Sequence, residues 1–276
     1  MSGASDERTT GAEDKVREVQ KRYGRIAEAG SVGCCEGPST TTVKAEAIGY
    51  EREALACVPE GADLGLGCGA PIAALELRRG EIVLDLGSGA GLDAFLAARE
   101  VGPEGRVIGV DMTPEMIARA GENARKVGVE HVEFRQGRLE SLPVEDGSVD
   151  AITSNCVINL VPDKRAVFDE VVRVLKPGGR IVVSDIMLEG RLPPAVENSI
   201  LAWVGCIAGA LQRSEYLEIV ERAGLRDLRV LRDVDYLASA GVETEPPTWM
   251  SEAGVRPEQL RGLVHSVTFR ALKPVS

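Results

Sequence analysis

A chain of 276 residues with Lys+Arg 32 against Asp+Glu 43 carries a formal net charge of -11, which repels phosphate backbones and anionic lipid, so neither nucleic acid nor a membrane is an expected partner. Its length allows one large domain or two modest ones and needs no disulfide framework. MSGASDERTTGAEDK at the N-terminus lacks the apolar stretch of a secretory signal, the longest apolar run, ILAWVGCIAGAL, is shorter than the ~20 residues of a membrane span, and a cytoplasmic protein with reduced cysteines is expected.

Residues 1–13 are small and polar, and a disordered tail is expected there. Residues 14–80 read as a lid of helices and loops. EDKVREVQKRYGRIAEA sets Val16, Val19, Tyr23 and Ile26 on one helical stripe. GSVGCCEGPSTTT, with Cys34 and Cys35, is a loop by composition. VKAEAIGYEREALACV reads as a short helix that offers Tyr50 to the cleft and buries Cys57 on an apolar face. The glycine-dense stretch that follows, with Cys68 in GLGCGAP, is no stable element.

From residue 81 to 190 the pattern alternates regularly. EIVLDLG, GRVIGVDM, HVEFRQG, VDAITSN and KPGGRIVVSDI are strands; GLDAFLAAREV, TPEMIARAGENARKVG and DKRAVFDEVVRVL are helices. Thr113 and Pro114 form a capping start for the second helix, and Asp163 to Arg165 read as a solvated start for the third. Strands alternating with helices across short loops predict a doubly wound, mostly parallel α/β sheet. Residues 191–276 read as a substrate-side segment, with a helix over PAVENSILAWVGCIAGAL, another over SEYLEIVERAG, and closing strands LRDLRVL and LVHSVTFRALKP. Between them lies a proline-bearing surface excursion, TEPPTWMSEAGVRPEQL. Trp203 and Trp249 read as packing residues, Trp203 also as a wall near Cys206.

VLDLGSGAGLDA places Gly87, Gly89 and Gly91 between a strand and a helix, where glycine lets backbone approach a ligand and the helix offers free N–H groups. A dinucleotide fingerprint would need a small residue at 92, which is Leu92. Asp111 ends the second strand, where a carboxylate can accept ribose hydroxyls. G-x-G-x-G preceded by Asp85 resembles the S-adenosylmethionine (SAM) methyltransferases of the Rossmann-like class I superfamily, from Glu81 through Met187. The resemblance implies a cofactor site of Asp85, Gly87, Ser88, Gly89, Gly91, Asp93, Asp111, Met112, Leu139, Glu140 and Asn155. A carboxylate-rich lining suits a ligand bearing a sulfonium and an ammonium.

On the acceptor side stand thiols rather than a histidine base. Cys156 ends a strand in SNCVINLVP, and Cys68 and Cys206 each lie beside glycine. His131 and His265 are too few and too scattered for a metal cluster, and with no C-x-x-C pair a zinc site is not expected. GLGCG, SNCVINL, the Cys206 helix and the GCC loop resemble the arsenite methyltransferase family, from about Val16 to Lys273. Thiolates select soft centres, and trivalent arsenic, As(III), is one. Held by three thiolates it keeps a lone pair that can take a methyl group without a general base. The resemblance implies As(III) bound by Cys68, Cys156 and Cys206, with residues 191–276 as an As(III)-binding α+β extension. It also implies a transient disulfide of Cys34 or Cys35 with Cys68, an external thiol reductant of glutathione or thioredoxin type, and antimonite, Sb(III), as a further thiophilic candidate. Many relatives extend beyond this length, so the extent of methylation is left open. Two other readings stand beside it: a SAM-dependent C- or O-methyltransferase of a small metabolite, and a non-catalytic As(III)-binding protein.

Overall fold

The computed structural model describes residues 3–29, 45–239 and 248–275. Seven strands form one sheet: β1 (Ile82–Leu86), β2 (Arg106–Asp111), β3 (Val132–Gln136), β4 (Val149–Asn155), β5 (Leu175–Leu188), β6 (Arg226–Asp235) and β7 (Val264–Leu272). Their order is β3-β2-β1-β4-β5-β7-β6. The first five are parallel and β7 inserts antiparallel between β5 and β6. This is the expected doubly wound, mostly parallel sheet. The closing strands belong to that same sheet.

The central strands read as continuous apolar runs because both faces are covered; Val83, Leu84, Leu86 and Ile152 are fully buried. On one face Phe168, Tyr216 and Phe269 meet edge to face at 5.8 and 5.9 Å, tying the helices Lys164–Val174 and Arg213–Arg222 to β7. Burying each such ring contributes roughly 2–3 kcal/mol. On the other face the helix Leu92–Val101 packs Ala94, Ala97 and Val101 against Val83 and Val107.

Strand order reverses between β1 and β4, and the crevice beyond their carboxyl ends is where an open α/β sheet takes its ligands. Gly87 follows β1 there and Cys156 follows β4. Over this crevice lies a long helix, α1 (Gly3–Ala29), which reaches back into the stretch expected to be disordered. Its polar N-terminal half is compatible with helix, and exposed pairs such as Asp14–Arg17 and Glu18–Lys21 support it locally.

The structure departs from the sequence reading where backbone reversals interrupt an apolar pattern. Residues 45–58 form two one-turn helices, Ala45–Ile48 and Arg52–Leu55, parted at Gly49, whose φ is +115°. Residues 194–211 likewise split into Pro194–Glu197 and Ile200–Val204, after which the chain turns through Cys206. Cys57 is exposed rather than core, with Arg99 Nη1 donating to its Sγ at 3.4 Å. Thr113 occupies the cap position of the helix Pro114–Val127 but its side chain makes no capping bond. Lys164 is not solvated: it is 6% exposed.

Candidate functional site

The loop after β1 turns through Gly87 and Gly89 with positive φ, and with α1 it frames a cleft of about 1030 Å³, its open mouth included. Val16, Val19 and Tyr23 of α1 form the roof, and Gln20 Nε2 donates to Met112 O at 3.3 Å. Every residue expected to hold a cofactor lines this cleft except Gly91. Gly91 is behind the loop, where a side chain would come within 2.6 Å of Phe95. The turn there (φ +100°) and the packing against Phe95 both require glycine.

Three carboxylates meet in the cleft. Asp111 accepts from Gly89 N at 3.0 Å and Thr113 N at 2.8 Å, and burial raises its pKa. Asp93 accepts from Tyr50 Oη at 2.6 Å; burial lifts it to about 6 against those hydrogen bonds. Asp85 is 2% exposed, and burial, with the charges of Asp93 and Asp111, pushes its pKa well up. Asp85 Oδ2 and Ser88 Oγ are buried without a hydrogen-bond partner among the described residues. Buried polar atoms of this kind call for a ligand, and an acidic, donor-poor lining fits a cation with amine and ribose donors. SAM therefore fits the residues present. Tyr50 does not line the cleft. It lies behind, between Asp93 and Asn155.

The thiols converge from three distant segments. Asn155, the last residue of β4, is the clamp for Cys68: its Oδ1 accepts from Cys68 N at 3.1 Å, and its Nδ2 donates to Gly69 O at 2.7 Å and Tyr50 Oη at 2.8 Å. Ser266 Oγ on β7 donates to Cys68 O at 2.6 Å. The flanking glycines are required by this docking. A Cβ at Gly67 would lie 2.9 Å from Asn155 Nδ2, and one at Gly69 2.6 Å from Ser184 Oγ.

Cys156 and Cys206 both adopt left-handed backbone, φ +57° and +64°, which few side chains tolerate. The Cys156 N–H is held by Ser184 O at 2.8 Å, and Cys206 Sγ donates to Cys156 O at 3.0 Å. The Cys68 and Cys156 sulfurs lie within 4.8 Å of each other, and the Cys206 thiol contacts the Cys156 carbonyl. The neighbouring Cys206 and Cys68 thiols, then burial, raise the pKa of Cys156 well above the ordinary thiol value; burial raises that of Cys68. All three thiols are buried, and Cys156 is the one that also lines the cleft. Cys34 and Cys35 lie outside the described residues.

Several residues around the thiols escaped sequence reasoning. Asp185 on β5 has a carboxylate oxygen within 4.8 Å of the Cys68 and Cys156 sulfurs, and burial raises its pKa to about 6. Asn159 donates through Nδ2 to Asp185 Oδ1 at 2.8 Å and Ile186 O at 2.6 Å. Its carbonyl abuts Gly209, where a Cβ would approach within 2.1 Å, so Asn159 also seats the turn carrying Cys206. Lys164 Nζ donates to Val161 O at 3.1 Å, and burial lowers its pKa to about 8. The signal for Asp185 was present in VVSDI, a charge inside a continuous apolar strand. Trp203 sits near Cys206 with Lys15 Nζ 3.8 Å from its ring centroid, and Tyr23 Oη donates to Val204 O at 3.3 Å. The roof of the cleft and the Cys206 segment are thereby joined.

A family model described as a methyltransferase domain matches residues 77–224. An arsenite methyltransferase of Halobacterium salinarum is 43% identical over 264 residues, covering 85% of this chain and 67% of that protein. The human arsenite methyltransferase is 34% identical over 75% of this chain and 57% of its own length. Among solved structures, an arsenic(III) S-adenosylmethionine methyltransferase from Chlamydomonas reinhardtii superposes with a TM-score of 0.61 at 32% identity, covering 87% of this chain and 75% of that one. The chain thus spans about two thirds of the haloarchaeal relative and less of the human one.

Proposed function

The chain belongs to the arsenite methyltransferase family, and on that premise we propose that it transfers a methyl group from SAM to As(III) held by Cys68, Cys156 and Cys206. The observation that carries this reading is that Cys68 and Cys156, far apart in sequence, bring their buried sulfurs within 4.8 Å of each other, with the Cys206 thiol on the Cys156 carbonyl, at the end of an acidic cleft suited to SAM. SAM supplies a methyl group on a positively charged sulfur. In this reading Asp111 takes the ribose hydroxyls, Asp85 the ammonium, Met112 a face of the adenine, and Leu139 and Glu140 its edge.

The raised pKa of Cys68 and Cys156 suits the substrate. Arsenous acid is neutral, and three protonated thiols displace its three hydroxyls as water with no net change in charge. A neutral complex is the form a buried pocket accepts at least cost. Arsenic so bound keeps a lone pair for the methyl group, which explains an acceptor site without histidine. Cys156, at the boundary of cleft and thiol pocket, sets the line between donor and acceptor, and holding both in register supplies much of the acceleration.

Methylated arsenic is formally pentavalent, and its return to the trivalent state takes two electrons from a pair of thiols. Oxidation of Cys68 with Cys34 or Cys35 to a disulfide provides them, and an external thiol of glutathione or thioredoxin type reduces that disulfide and restores the pair. Sb(III), with the same preference for sulfur, is a second substrate.

Incubation of the protein with labelled SAM, arsenite and thiol, followed by speciation of the products, is expected to yield methylated arsenicals and to stop when thiols are blocked. Turnover on a metabolite that survives thiol blocking, or stoichiometric arsenite binding without turnover, would replace this reading.

A further inference from the structure

Beside the thiols of Cys68 and Cys156 lies a carboxylate that the proposed reaction leaves without a task. Asp185 is fully buried, and one of its oxygens is within 4.8 Å of both the Cys68 and Cys156 sulfurs. Four donors surround it. Asn159 N at 3.2 Å and Tyr216 Oη at 3.1 Å reach Oδ2, while Asn159 Nδ2 at 2.8 Å and Ile186 N at 2.9 Å reach Oδ1. Three backbone and amide N–H donors favour the carboxylate, and although burial raises its pKa to about 6 the group is ionised at neutral pH.

A fixed negative charge at this place does not activate the sulfurs, since its charge disfavours the Cys68 thiolate. Positive charge is what it can favour. None is present on arsenic bound by three thiolates, which is neutral, but it arrives with the methyl group. The arsenic lone pair becomes the As–C bond, the donor's C–S bond breaks with its electrons staying on sulfur, and the formal positive charge passes from sulfur to arsenic. No proton moves, and no outside electron enters this step.

We propose that Asp185 is the counter-charge for arsenic as it turns cationic, a preset carboxylate that favours the transition state over the neutral ground-state complex. The proposal rests on As(III) binding at the three thiols. Asp85, Asp93 and Asp111 line the cofactor cleft and Asp185 lies beside the Cys68 and Cys156 thiols, so acids stand at both ends of the migrating charge. An interaction that grows only as charge develops raises the rate of the step rather than the affinity for substrate. Lys164 works against it. Its Nζ is buried close enough to act on Asp185 and Cys206 electrostatically, and it places an opposing positive charge in the same pocket.

The test is single-turnover methyl transfer from labelled SAM on the arsenite-loaded protein, with arsenite and SAM titrated calorimetrically alongside. Asp185→Asn is expected to bind both ligands as the parent does, with KM for arsenite unchanged, and to transfer methyl roughly 10- to 100-fold more slowly. Lys164→Met is expected to transfer methyl faster, the opposite sign, whereas a merely structural role predicts that both variants slow. A parental rate in Asp185→Asn, loss of its arsenite binding, or slowing in both variants overturns the proposal. Should Asp185→Asn fail to fold, Lys164→Met decides alone, and an unchanged or lower rate rejects the counter-charge. Absence of methylated arsenic from the parent protein instead rejects the function on which the proposal rests.

Discussion

Cys156 has the Cys68 sulfur within 4.8 Å and receives the Cys206 thiol at its carbonyl, and its position is fixed by a left-handed backbone and by Ser184 O. Cys156→Ser replaces a soft ligand with a hard one at nearly the same volume. The same holds for Cys68→Ser and Cys206→Ser. Each is expected to stay folded by circular dichroism and to lose methyl transfer to As(III) by about 100-fold or more, while SAM affinity measured calorimetrically is retained. Asp93 adds a pH signature. Its folded pKa of about 6 lies above the ordinary 3.9 of an aspartate. The folded state therefore holds that proton more tightly than the unfolded chain. The resulting contribution to stability, on the order of 3 kcal/mol, is present below about pH 4 and lost as pH rises to about 6. Binding of a cation has the opposite sign, because it favours the ionised form. The dissociation constant for SAM is expected to rise by up to about tenfold per unit as pH falls below 6, a trend that calorimetric titration between pH 5 and 8 would measure.

At the scale of elements, the site depends on irregular pieces docked on regular ones. GLGCG is held to β4 by Asn155, to β5 at Ser184 and to β7 by Ser266. Gly69→Ala places a carbon 2.6 Å from Ser184 Oγ and 2.7 Å from its Cβ, and neither the strand nor the loop can yield far. This substitution is expected to cost about 1–3 kcal/mol of stability. It should weaken arsenite binding more than tenfold while leaving SAM affinity near parental, since the cleft loop Gly87–Gly89 is a separate element. Gly209→Ala, pressed against Asn159 O, should act on Cys206 in the same selective way. Such pieces are also where sequence periodicity misleads. An apolar run that continues through Gly49 or Cys206 keeps the helical pattern although the backbone reverses there. A pattern of side chains cannot report a change in φ.

The whole molecule shows which information is local and which is not. The alternation of strands and helices, the acidic glycine loop and the cysteine-bearing turns are contiguous signals, and the sheet, cleft and thiol positions were legible from them. Asp185, Asn159 and Lys164 acquire their roles from neighbours brought up by folding, such as Tyr216 and Trp203. Lys164 looked like a solvated helix start because nothing near it in sequence announces the tryptophan that covers it. Cys57 looked buried because its helix is apolar on that side, whereas the helix ends after one turn. Arsenic bound across residues 68, 156 and 206 would cross-link the lid, the central sheet and the substrate-side segment. Ligand that binds only the folded state stabilises it by about 2.7 kcal/mol at hundredfold excess over its dissociation constant. For a chain of this size a rise in melting temperature of roughly 5 °C or more is expected with arsenite. Calorimetric scans showing no shift in the parent, or an equal shift in a triple Cys→Ser variant, would speak against the cross-link.

The left-handed geometry of Cys156 and Cys206 carries a cost of order 1 kcal/mol each, and glycine or asparagine would adopt it with less penalty. These two turns are therefore sites where thermal robustness and catalytic competence pull in opposite directions. A laboratory library sorted on heat resistance alone would find relief there first, and every clone that took it would have discarded a sulfur the substrate needs.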